Sequence, residues 1–134
     1  MSRVILNADD LGYSPDVNWA ILHAASIGTL TAASLMVNMP FAEDAVMSVR
    51  ESLPNFSLGL HFCLTSGRAV APQEKIPLLV DSNGCFRHGF LGLWRLLSSK
   101  RKTGEYPFNV QQEARASSLS NVSSFQVNII RQNT

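Results

Sequence analysis

At 134 residues, 46% of them apolar, the chain is long enough for one ordinary domain with its own core and too apolar to be disordered. A net charge of +1 gives no reason to expect nucleic acid or an anionic membrane as a partner. Two cysteines, Cys63 and Cys85, in a chain without the shape of an export signal read as free thiols in a reducing compartment, so a cytoplasmic protein is expected.

In chain order, Arg3 to Leu6 is short, apolar and bounded by turn signals, which predicts a buried strand. It runs into Asn7-Ala8-Asp9-Asp10-Leu11-Gly12-Tyr13, which puts two adjacent carboxylates at the carboxyl end of a strand. In α/β folds functional groups collect there. Neighbouring strand residues point to opposite faces, so one aspartate could hold a metal while the other handles a proton. Asp and Gly also favour turns, and that plainer reading stays open.

Ser14-Pro15-Asp16 then opens a helix, with Ser14 as cap and Pro15 at the first position. Val17, Ala20, Ile21, Ala24 and Ala25 recur at helical spacing to about Ile27, and Gly28 ends the run. Thr31 to Val37 is the second predicted strand. A second helix follows from about Phe41 to Leu53, with Ala42, Ala45, Val46 and Val49 on one side. Ser57 to Leu64 is the third strand and carries His61. Strand, helix, strand, helix, strand argues for parallel βαβ units.

After Pro72 the periodicity weakens. Asp81-Ser82-Asn83-Gly84 is a strong turn signal, and Phe90, Leu93, Trp94 and Leu97 share helical spacing. A long loop plus a short helix is expected, inserted on the main scaffold. That apolar stretch contains Arg95 and is too short to span a bilayer. Ser98 to Gly104 reads as a solvated basic connector, including Lys100-Arg101-Lys102. A helix from Phe108 to about Leu119 has Val110 and Ala114 as weak anchors. Phe125, Val127 and Ile129 alternate as one strand would.

With these stretches in view, the chain resembles the YdjC/ChbG-like carbohydrate deacetylases. The resemblance rests on Asn7 to Tyr13, on Ala33-Ser34-Leu35-Met36-Val37-Asn38, on Gly59-Leu60-His61-Phe62-Cys63-Leu64-Thr65, and on Pro77 to Phe86. It covers residues 3 to 116 and implies parallel βαβ units forming part of a (β/α) barrel-like fold. It also implies a divalent-metal-dependent hydrolase that cleaves the C–N amide bond of N-acetylated sugars such as chitooligosaccharides. Asp10 would match the family's metal-ligand aspartate and His61 its first metal-ligand histidine. Asp9 would match the neighbouring aspartate that acts as general base.

The departures are as informative. The family's third ligand comes from a histidine-rich motif, and residues 123–130 here contain no histidine; the chain's only others are His23 and His88. A barrel of this kind runs to roughly 250 residues. Residues 1–116 are therefore read as the amino-terminal part of one truncated domain, and 117–134 as a divergent tail, open to being disordered. A half barrel exposes sheet edges, so aggregation or a homodimer is open.

Amide hydrolysis needs an activated water and support for the developing oxyanion, and a bound cation supplies both. Catalytic zinc sites use about three protein ligands; Asp10 and His61 offer two, suited to Mg or Zn. The expectation is a half-site with weak metal binding and little turnover, or a non-catalytic carbohydrate-binding remnant. Asn38 and Arg68 are candidate sugar contacts. His23 reads as a partly buried structural histidine and His88 as a loop residue. Cys63 would share the strand face of His61 and reads as a small core residue. Trp94 reads as packing with Phe90 and Leu97.

Overall fold

Three parallel strands and two helices build the first part of the chain, which is seen here in a computed structural model describing residues 4–99 and 105–119. The elements are β1 (Asn7–Leu11), α1 (Pro15–Ser26), β2 (Ala32–Leu35), α2 (Ala42–Ser52) and β3 (Ser57–Leu60). The sheet order is β1-β2-β3, with both pairs parallel. This is the βαβαβ arrangement that the alternation of apolar periods predicts. The basic run at 100–102, the alternating residues 125–129 and the third-ligand region at 123–130 lie outside the described residues, as does most of the tail from 117.

The helices form where their ends are specified. Ser14 has extended backbone and its hydroxyl accepts from the Val17 N–H at 3.2 Å, while Pro15 starts the first turn. At the other end Gly28, at φ 77°, takes the left-handed turn that stops the helix. Along α2 the buried residues are Ala42, Ala45, Val46 and Val49, the predicted stripe. They pack with Leu11, Ile21, Ala33, Leu35 and Leu58 into one apolar cluster. In α1 the stripe is shifted: Ala20 is exposed and Asn18 is buried.

The first strand lies later than its apolar run. Arg3 is outside the described residues, and Val4, Ile5 and Leu6 are 74%, 58% and 51% exposed. The strand forms at the polar residues because that is where β2 offers partners: Asn7 pairs with Ala32 and Ala8 with Ala33. Apolarity marked the approach to the sheet, while backbone pairing decided the strand.

The described residues form two compact units that divide between His61 and Phe62. The second unit has its own core of Ala71, Ile76, Leu79 and Val80. It contains a short 3-10 turn (Gln73–Lys75), α3 (Phe90–Ser99) and α4 (Glu105–Leu119). In α3 the inward residues are Leu93 and Leu96, whereas Phe90 and Trp94 are 74% and 63% exposed. The expectation that Trp94 packs with Phe90 is thus corrected, because the helix presents the neighbouring stripe to the core.

α4 is anchored by Val110 and Ala116, and its buried line is polar: Asn109, Glu113 and Ser117, spaced one helical turn apart. Ser117 therefore lies inside a helix that continues to Leu119.

Candidate functional site

The site is made by an irregularity in β1. Ala8 pairs with Ala33, yet Leu11 pairs with Leu35, so β1 spends three steps where β2 spends two. The extra residue is a β-bulge, and Asp10 within it has φ 66°. In a regular strand, Asp10 would follow Ala8 onto the face packed by the helices. Left-handed backbone, which Asp tolerates at a cost of about 1–2 kcal/mol, takes it out of that pattern. Leu11 then occupies the core position opposite Leu35 and is fully buried. The expectation that the two aspartates point to opposite faces is therefore corrected: the bulge brings both to the same cluster.

That cluster consists of Asp9, Asp10, Ser34 and His61. His61 is the first residue after β3, its N–H donating to the Leu35 carbonyl at 2.9 Å. Its Nδ1 lies 3.4 Å from Asp10 Oδ1, 3.4 Å from the Asp10 backbone nitrogen and 3.3 Å from Ser34 Oγ. Asp9 Oδ1 accepts from Ser34 Oγ at 2.5 Å and from Asn7 Nδ2 at 2.9 Å. Ser34 stands between Ala33 and Leu35, which belong to the helix-packed core, so it faces the other side of the sheet. Its register partner on β3 is Gly59, which adds no side chain beside it.

The exit from β1 is held firmly. Gly12 has φ 96°, and a Cβ there would lie 3.0 Å from the Ala42 Cα and 3.2 Å from the Met36 oxygen, so only glycine fits. Buried Asn18 accepts from the Gly12 N–H at 2.7 Å and donates to the Phe41 carbonyl at 3.0 Å. One amide thus ties the end of β1 to the start of α2 and fixes where the bulge stands.

The remaining predicted residues fall elsewhere. Asn38 is half-buried in the turn after β2, while Arg68 is exposed and belongs to the second unit. Cys63 lies beyond the end of β3, which corrects its placement on the strand face of His61. It is half-buried, 3.6 Å from Thr65 Oγ1. His23 is exposed rather than partly buried and stacks on Trp19 with ring centroids 5.2 Å apart. The His88 Nε2 lies 3.1 Å from the Leu78 carbonyl oxygen in the second unit.

Sequence reasoning missed the roles of Ser34 and Asn7. The available signal was a hydroxyl in an otherwise apolar strand segment, Ala32–Leu35, inside one of the motif stretches.

Two tetrahedral ligands with bonds of about 2.0–2.1 Å stand about 3.3 Å apart. Asp10 Oδ1 and His61 Nδ1, at 3.4 Å, match that separation. Among the described residues no three His, Cys, Asp or Glu side chains gather as a cation-holding group.

Comparison with known proteins adds a family and several relatives. A family model for YdjC-like proteins matches residues 3–118. A carbohydrate deacetylase of Geobacillus stearothermophilus is 48% identical over 82 residues, 61% of this chain and 32% of that protein. Carbohydrate deacetylase 2 of Listeria innocua is 36% identical over 110 residues, 82% of this chain and 39% of that protein. A solved structure from Enterococcus faecalis, described as a cellobiose-phosphate cleavage protein, is 29% identical with a TM-score of 0.66. The alignment covers 85% of this chain and 42% of that one. The chain spans about a third of the length of the curated relatives it matches.

Proposed function

The chain belongs to the YdjC-like protein family, and from that premise we propose that it carries part of a metal-dependent carbohydrate deacetylase acting on N-acetylated sugars such as chitooligosaccharides. The observation that carries this reading is the 3.4 Å separation of Asp10 Oδ1 and His61 Nδ1 on the ends of β1 and β3. Relatives named carbohydrate deacetylase support the sugar and the reaction.

In this reading Asp10 and His61 hold a divalent cation, Mg or Zn. When bound, such an ion supplies an acidic water near neutral pH and polarises the acyl oxygen. Asp9 is the general base. Its Oδ1 is occupied by Ser34 and Asn7, which orients the carboxyl and leaves Oδ2 for the proton. Water adds to the acyl carbon as one of its protons passes to Asp9 Oδ2. Collapse breaks the C–N bond, and that proton goes to the departing amine, releasing acetate and the amino sugar. Asn38, in the turn after β2, contacts the sugar. The free thiols Cys63 and Cys85 suit a reducing, cytoplasmic setting. Among the described residues no helix is long and apolar enough to cross a membrane.

One observation favours a second reading, a non-catalytic sugar-binding portion: Asp and His side chains supply only two cation donors among the described residues. Acetate release from N-acetylglucosamine oligomers, with Mg2+ or Zn2+ added, separates the two. Cation-dependent release that Asp9→Asn abolishes supports the deacetylase. Sugar binding without release under any cation supports the second reading.

A further inference from the structure

On the helix-covered side of the sheet, α1 and the carboxyl half of α2 leave a groove of about 250 Å3 between them. The cluster of Asp9, Asp10, Ser34 and His61 lies on the other side, since Ala33 and Leu35 pack toward the helices and Ser34 turns away from them. One wall of the groove is aromatic. Trp19 and His23 stand one helical turn apart on α1, with ring centroids 5.2 Å apart and planes within 5° of parallel. Trp19 is 68% exposed, while the same helix buries Asn18, Ile21 and Ala25. Half-buried Leu22 and Leu53 extend the apolar lining.

The rest of the lining is hydroxyl: Ser26 from α1, and Ser48 and Ser52 one turn apart on α2. Ser26 Oγ donates to the His23 carbonyl at 2.8 Å and Ser48 Oγ to the Asp44 carbonyl at 2.9 Å. A hydroxyl has one hydrogen, so these two present lone pairs to the groove. Among the described residues that line it there is no Asp, Glu, Lys or Arg.

That chemistry selects the occupant. An uncharged lining with outward acceptors calls for a neutral ligand rich in O–H and N–H donors. The electron-rich indole face suits the weakly positive C–H face of a pyranose ring. The volume is below the roughly 300–1,000 Å3 of drug-sized sites, which fits one or two sugar rings rather than the face of a folded partner. We propose that the groove between α1 and α2 is a second sugar site, binding an uncharged N-acetylated sugar oligomer on Trp19, apart from the cluster assigned to the chemistry. The choice of N-acetylated sugars rests on the deacetylase reading given above.

The probe is the N-acetylglucosamine trimer, titrated into the whole chain carrying Trp94→Phe, which leaves Trp19 as its single tryptophan. A saturable change in Trp19 emission is expected, with a Kd on the order of 1 mM. His23→Ala and Ser48→Ala, each added to that chain, are expected to weaken binding by about 2- to 10-fold. Asp10→Asn is expected to leave the titration unchanged, because it lies on the other side of the sheet. No saturable change, a change that Asp10→Asn abolishes, or one that neither groove variant weakens overturns the proposal. An emission shift that grows with protein concentration and needs no sugar means that a second copy covers Trp19, and overturns it as well. A Trp19 response without acetate release under any added cation overturns the deacetylase reading and leaves the groove site standing. Acetate release without a Trp19 response does the reverse.

Discussion

The two units of the molecule each hold an acidic side chain among donors, and they use it in opposite ways. In the second unit Glu113 is fully buried, its Oε1 accepting from the Val70 N–H and its Oε2 from the Ala71 N–H, both at 2.9 Å. Ser117 Oγ adds a contact at 3.4 Å. Both oxygens are committed to holding the loop against α4. In the first unit the Asp10 side chain is 56% exposed, stands on left-handed backbone, and meets His61 at 3.4 Å. One acid is satisfied and shielded, as a structural clamp must be. The other is reachable and stands beside a ring nitrogen, as the cation ligand proposed above must. Burial and bond length separate the two roles, although neither residue type nor neighbouring sequence does.

Substitutions sharpen that contrast. Glu113→Ala leaves two backbone N–H groups without an acceptor and should destabilise the second unit by about 3–5 kcal/mol, measured by chemical denaturation. Gly12→Ala combines an unfavourable φ with a Cβ against the Ala42 backbone, for a loss of about 2–4 kcal/mol. It should also weaken cation binding, since the bulge would move. Asn18→Ala unties Gly12 from Phe41 and should cost about 1–3 kcal/mol in the same assay. Asp10→Asn should change stability by no more than about 0.5 kcal/mol, because the site is exposed and Asn also accepts left-handed backbone. If Asp10→Asn proved as damaging as Glu113→Ala, the contrast between clamp and site would collapse.

Much of the first unit could be read from periodicity. The apolar faces of α2, the Ser14 cap and the Gly28 stop are local features, and local rules reach them. The order of strands and helices follows from the same spacing. The bulge does not, because it exists only as a mismatch between two strands: Ala8 and Leu11 against Ala33 and Leu35. Without it, alternation sends Asp9 and Asp10 to opposite faces. Ser34 was equally hidden, since a serine between Ala33 and Leu35 looks like one more small strand residue. Its meaning comes from residues 25 and 27 positions away. In α4 the apolar period is weak because the buried line is Asn109, Glu113 and Ser117, and its partners lie in a loop some forty residues earlier. In each case the missing information is a non-local pairing.

Calorimetric titration with Zn2+ of the wild-type chain, Asp10→Ala and His61→Ala tests the central claim most directly. The account predicts saturable binding at one site by wild type and its loss in both variants, with the fold of each variant intact. No binding by wild type, or binding indifferent to both substitutions, would contradict a cation shared between Asp10 and His61.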